Sequence, residues 1–412
     1  MKGWSGRTRL TLAACVLAMV VVSLGAFTRL TDAGLGCPDW PGCYGHLTWP
    51  TTTAQIEAAE MKFPDAPVDT DKTWPEMVHR YFAGGLGLVI LALAVMAWRT
   101  RTRSRVIAPN IKEELGLGKE LQPKQEPQPK KEPQPKKEPQ PAAPYKLSLF
   151  LVLLVAVQAI FGMWTVTLKL WPQIVTTHLL GGFATLSLLW LLFLRSRQWD
   201  RQTPPVPLPW SRLTRLRQLA LLVLVLVLLQ ITLGGWTSAN YAALACIDLP
   251  TCHGQWLPPM DFAQGFNLSS EHGPNYLGGL LDNEARTAIH LSHRLGAVVV
   301  TLAVLGMSHL LWRSGVPRLK ALALLLTAVL LLQVGLGITN IVAMLPLSVA
   351  VAHNGGGALL LLVLVTVNYQ LRSRCRGATA AEVRSRQLTG TPEFVAAATR
   401  ATTPTPLVEV EP

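Results

Sequence analysis

Apolar residues run in blocks of roughly 20, the length that crosses a bilayer core, and polar residues gather between the blocks. Eight blocks read as helices, with approximate limits 10–28, 78–98, 147–169, 173–194, 217–237, 288–311, 319–341 and 347–370. The expected fold is an all-α membrane protein whose eight transmembrane helices form two repeated four-helix bundles, packed helix against helix within lipid. Spans 1 and 2 occupy 1–103, and spans 3 and 4 occupy 146–216. Between them lies a cytoplasmic linker, 104–145, expected to be extended and disordered because it repeats K-K-E-P-Q-P. The second four-helix half is 217–376, followed by a cytoplasmic tail, 377–412.

Composition agrees. Of 412 residues, 50% are hydrophobic and only 15% charged, against about a quarter charged in a soluble domain. The net charge of +13 does not point to nucleic acid, because its location assigns it to membrane orientation. With the N-terminus inside, the inner segments carry 30 of the 37 Lys and Arg residues. That bias places both termini in the cytoplasm. Span 1 follows a short basic start without a cleavage site, so it reads as a retained helix, and a bacterial plasma membrane is expected.

One short stretch occurs twice. W-P-E-M-V-H-R carries His79 and Arg80, and A-I-H-L-S-H-R carries His293 and Arg294. Each lies shortly after a cysteine pair six residues apart, Cys37 and Cys43, then Cys246 and Cys252. Each is followed one hairpin later by a further histidine, His178 and His353. Outside a bacterial cell such thiol pairs oxidise to disulfides. A loop staple and an electron-passing thiol pair both fit; zinc does not, since no second pair stands at the usual spacing. A smaller repeat joins the odd spans: Gln158, Gly162 and Thr165 match Gln230, Gly234 and Thr237, and Gln333, Gly337 and Asn340 keep the same steps. Steps of four and three lie on one helical face, where they serve close packing or the approach of a flat ligand.

Four of nine histidines therefore stand near the outer ends of even-numbered spans. Imidazoles at that depth mark a functional site. Two per half, on different helices, suit one axial nitrogen on each face of a haem better than a compact tetrahedral ion. Glycines beside His178 (Gly181, Gly182) and His353 (Gly355, Gly356, Gly357) thin the helix next to a planar macrocycle. Arg80 and Arg294 stand where they can pair with haem propionates or simply snorkel to the interface. Glu76 precedes His79 by one turn, whereas His290 takes that place in the second half. A carboxylate there can accept a proton or stabilise positive charge, or serve only the helix dipole.

The stretch G-x-x-T-R-L-T-D-A-G-L-G-C-P-D-W-P-G-C, the E-M-V-H-R motif and the later S-H-R and A-H-N resemble heme A synthase of the bacterial cysteine-containing type. The resemblance covers nearly the whole chain outside the linker and the tail. It implies oxidation of the C8 methyl of heme O by two successive hydroxylations, to a hydrated aldehyde that dehydrates to the formyl group of heme A. It implies substrate between His79 and His178, haem b as cofactor ligated by His293 and His353, and Glu76 as the catalytic carboxylate. Cys37 with Cys43 and Cys246 with Cys252 match the family's outer cysteine pairs. Partners implied are heme O, a heme O synthase (a protoheme farnesyltransferase) and an electron acceptor that the residues do not identify; assembly as a homo-oligomer is left open. Two other classes compete: a bis-histidine cytochrome relaying electrons through two permanent haems, and a transporter with repeated halves. The Glu76/His290 difference speaks against two equal relay sites, and the scarcity of other intramembrane charges against ion coupling.

Overall fold

The computed structural model of the protein describes residues 4–114, 145–196, 208–268, 273 and 275–388. Among them run α1 (Gly6–Leu30), α2 (Thr53–Lys62), α3 (Thr70–Glu114), α4 (Tyr145–Thr167), α5 (Pro172–Ser196), α6 (Trp210–Ala239), α7 (Phe262–Gly265), α8 (Asn283–Trp312), α9 (Pro317–Val342) and α10 (Leu347–Leu388). Eight of these, all but α2 and α7, are long and apolar enough to cross a membrane. No strand occurs among the described residues, only isolated bridges at Cys43–His46 and Cys252–Gln255.

The helices outrun the apolar blocks. Helix α3 starts at Thr70 and α8 at Asn283, so Glu76 and His290 lie well inside helices, at least six residues from each start. Their polar first turns carry Asp71 and Glu284, acids that the positive end of the helix dipole favours. At the other end α3 continues to Glu114, into the expected linker, and α10 continues to Leu388, into the expected tail. Extending a helix that lipid has already nucleated adds one bond per residue, which explains the overrun. The rest of both segments, 115–144 and 389–412, lies outside the described residues.

Contacts close into two rings. Helix α1 touches α3 and α5, and α4 bridges α3 and α5; α6 touches α8 and α10, and α9 bridges those two. The rings meet where α1, α5, α6 and α10 adjoin. Inside the second ring Asn368 Nδ2 on α10 donates to Ala220 O on α6 at 3.0 Å. Along the seam Trp190 Nε1 donates to Thr366 Oγ1 at 2.8 Å and Tyr369 OH to Leu194 O at 3.2 Å. At its outer end the Arg29 guanidinium sits 4.1 Å over the Tyr241 ring and donates to Ser238 O at 2.6 Å, while Tyr241 OH donates to Asp32 at 2.7 Å. Few groups at this depth can hydrogen-bond, so these links join the rings at defined points.

The outer loops repeat as closely as the helices. Disulfides join Cys37 to Cys43 and Cys246 to Cys252, with S–S distances of 2.01 and 2.03 Å. Inside each loop one aspartate binds two successive backbone N–H groups. Asp39 accepts from Tyr44 and Gly45 at 2.6 and 2.7 Å, and Asp248 from His253 and Gly254 at 2.7 and 3.0 Å. Asp248 also accepts from Thr251 Oγ1 at 2.6 Å. These donors, the Thr251 hydroxyl first, hold its pKa well below the usual carboxylate range.

Two outcomes follow. Asn368→Leu should lower stability by about 0.6–1.7 kcal/mol, the span measured for hydrogen bonds between membrane helices, as read by denaturant unfolding in micelles. For the loop, a depressed folded pKa means that the stabilisation from Asp248 is complete above the unfolded value of about 3.9 and vanishes only as pH falls through the lower folded value. Amide exchange at His253 and Gly254 should therefore stay protected at pH about 4, and Asp248→Asn should lose that protection already at neutral pH.

Candidate functional site

The site is built where odd-numbered spans end and even-numbered spans begin. Each odd span closes in the same way. Ala33 N donates to Thr28 O, Leu170 N to Thr165 O, Ala242 N to Thr237 O and Leu345 N to Asn340 O, at 2.9, 2.8, 2.9 and 2.7 Å. A residue with positive φ precedes each of those donors: Asp32 (53°), Lys169 (47°), Tyr241 (54°) and Met344 (58°). This left-handed stop turns the chain sharply at the outer boundary.

Seven residues before each stop is a glycine, and against each glycine lies a histidine ring of the paired span. A Cβ on Gly25 would stand 3.0 Å from His79 Cε1, on Gly162 3.4 Å from His178, on Gly234 3.1 Å from His293 and on Gly337 3.1 Å from His353. The protein is thus four copies of one unit as well as two halves. The Gln–Gly–Thr spacing marks three of these units; the first lacks it because Val21 stands where the others have glutamine, and Gly25 with Thr28, in L-G-A-F-T against L-G-G-W-T of span 5, is its remaining signal.

His79 on α3 and His178 on α5 occupy opposite corners of the first ring; His293 on α8 and His353 on α10 do so in the second. Within each pair the imidazoles are close enough to interact electrostatically. All four residues are half-buried, yet the Nδ1 atoms of His79, His178 and His353 are buried with no partner. His293 Nδ1 has one, Gln230 Nε2 at 3.0 Å. Among the described residues no three His, Cys, Asp or Glu side chains converge as metal ligands. Paired imidazoles on opposing helices, without a third ligand, fit an iron porphyrin held on both faces and not a tetrahedral ion.

The neighbouring groups are engaged in two ways. Arg80 and Arg294, read from the sequence as propionate partners or snorkelling side chains, reach into the disulfide loops. Arg80 Nη1 donates to Asp39 O at 3.0 Å and Gly42 O at 2.5 Å, and Arg294 donates to Asp248 O, Thr251 O and Cys246 O at 2.9, 2.9 and 2.7 Å. Loop carbonyls converge at that level, and the planar fork satisfies several at once. Arg294 Nε remains buried and unpaired. The glycines after His178 and His353 do not face open space throughout: a Cβ on Gly181 or Gly356 would collide with the Gln158 or Gln333 side chain.

Glu76, 4% exposed, binds Cys37 N–H through Oε2 at 2.9 Å and Arg80 Nη2 through Oε1 at 2.5 Å. His290 takes its place in the second half, with Nδ1 2.9 Å from Ala242 O and 3.4 Å from Cys246 N. The two residues have one structural task, bracing the first cysteine of a loop, but only Glu76 brings a carboxylate. Burial, then the carboxylates of Glu60, Glu76, Asp39 and Asp69, push the Tyr44 phenol up to about 12. It stays neutral and donates to Pro67 O at 3.0 Å.

The sequence is similar to those of known proteins. The heme A synthase of Shewanella oneidensis is 44% identical over 363 residues, 88% of this chain and 95% of its own. Those of Maricaulis maris and Caulobacter vibrioides are 26% identical, covering 84% and 83% of this chain and 89% and 88% of their own. The COX15-CtaA family, described as cytochrome oxidase assembly proteins, matches residues 8–365, so the chain belongs to that family.

Proposed function

We propose that this protein is a heme A synthase of a bacterial plasma membrane, oxidising the C8 methyl of heme O to the formyl group of heme A by two successive hydroxylations. The observation that carries this reading is the pair of imidazoles contributed by opposite helices of each ring, with a buried carboxylate beside only one pair. The halves then divide the work. His79 and His178 bracket the substrate, and His293 and His353 ligate haem b. When bound, haem b supplies reversible one-electron chemistry.

The residues of the chain do the rest. Glu76, paired with Arg80 and one turn from His79, accepts a proton as the neighbouring methyl is oxidised. Its bond to Cys37 ties that carboxylate to the disulfide loop, so the Cys37–Cys43 staple orients the base. Arg294 Nε is the donor left over for a haem propionate in the second half. The Lys and Arg distribution supports cytoplasmic termini, with both disulfide loops at the outer face. Heme O then arrives from a farnesyltransferase, and electrons leave to an acceptor outside the chain. The competing relay cytochrome has no support: the relatives named above are heme A synthases, and two equal relay sites would not need Glu76 in one and His290 in the other.

Expression in cells that make heme O should yield heme A on pigment extraction; finding haem b with heme O unchanged would reject the synthase. Glu76→Ala should leave the haem b spectrum intact and cut product formation by about 10²–10⁴. Replacing His293 or His353 by Ala should instead remove the haem b spectrum from the purified protein.

A further inference from the structure

The four units are not equivalent beside their histidines. In three of them a glutamine four residues before the glycine lays its side chain over a second glycine, three residues after the histidine. The pairs are Gln158 with Gly181, Gln230 with Gly296 and Gln333 with Gly356; in each, an added Cβ on that glycine would strike the amide. The amide and its seat therefore require each other. Gln230 also reaches His293 itself, donating to its backbone O at 2.9 Å as well as approaching Nδ1.

In the unit formed by α1 and α3 both members of the pair are changed together. Val21 stands in the glutamine position and Phe82 in the glycine position. Phe82 has no seat to fill, is turned outward, and is 42% exposed. One turn further along α3, a Cβ on Gly85 would meet nothing within 4 Å. The seam between α1 and α3, one turn deeper than His79, is thus apolar where the three other seams carry an amide, and open space adjoins it at Gly85. Lipid contact explains an exposed phenylalanine, and the mutual need of amide and seat explains why both are lost together; neither explains why the loss falls in the half that carries Glu76.

We propose that this seam is a groove for the isoprenoid tail of the substrate, with Val21 and Phe82 as the residues that select a farnesylated heme over protoheme. The inference rests on the functional reading above, which puts substrate in the first half. The chemistry is direct. Heme O differs from protoheme by a long apolar chain. A glutamine amide at the mouth would have to lose its hydrogen bonds under that chain, whereas valine and phenylalanine offer only apolar contact. The second half keeps both amides and so closes its pocket around a haem without a tail.

The double variant Val21→Gln with Phe82→Gly rebuilds the closed polar seam in the first half. Purified wild-type and variant protein, each carrying its haem b, are titrated with heme O and with protoheme and followed by the Soret band. The variant should bind heme O about ten-fold or more weakly, the scale on which apolar pockets discriminate, with protoheme affinity unchanged. Equal losses for both hemes, or no change in their ratio, overturn the groove. Haem b content checks folding; should the double variant lose it, Val21→Gln and Phe82→Ser taken singly must each lower the heme O preference for the proposal to stand. Wild-type protein without a preference for heme O also overturns the groove. Wild-type protein that prefers heme O but does not convert it overturns the proposed activity and leaves the groove standing.

Discussion

Placing an imidazole nitrogen inside a bilayer without a hydrogen-bond partner is costly, and this protein does it at three of its four histidine rings. The Nδ1 atoms of His79, His178 and His353 are buried and unpaired, in a solvent that offers no replacement. Everything around them is arranged to hold four rings at one depth. Glycines 25, 162, 234 and 337 let the paired helix approach closely enough for the ring to lie against backbone. Left-handed stops at Asp32, Lys169, Tyr241 and Met344 end the odd helices at matching points, so each return helix starts in the same register.

A fourfold unit would by itself make four identical sites, so function has to come from the departures. There are two, and both fall on α3 or its partner α1. One is Glu76 in place of His290, a change of chemistry at a conserved position in space: each braces the loop cysteine beside it. The other is Val21 with Phe82 in place of a glutamine on glycine, a change of shape and polarity. Neither disturbs the helix ring, because loop bracing and packing are retained around them. On the proposed function, the departures make one half a place for reaction and leave the other suited to a resident group.

The disulfide loops connect the membrane site to the outer surface. Arg80 and Arg294 hold loop carbonyls from below, while Asp39 and Asp248 hold loop amides from within. In the first half this network runs unbroken from the Cys37–Cys43 bridge through Glu76 to Arg80. A change at the bridge would thus be felt by the carboxylate one turn from His79.

Residue order alone determines the eight apolar spans, the recurrent His-Arg motif, the cysteine pairs and the positions of the four histidines, because runs of apolar residues and recurrent motifs are local properties of the chain. Three of the four repeated units were legible too, through the Gln–Gly–Thr spacing. Only the tertiary structure decides which groups those residues touch. It turns Arg80 and Arg294 into loop anchors, fills the glycines after His178 and His353 with glutamine amides, and starts α3 early enough to bring Glu76 under Cys37. These contacts join residues 20 to 50 positions apart across helix pairs, and hydropathy carries no record of such pairings: they depend on crossing, depth and rotation, which packing sets.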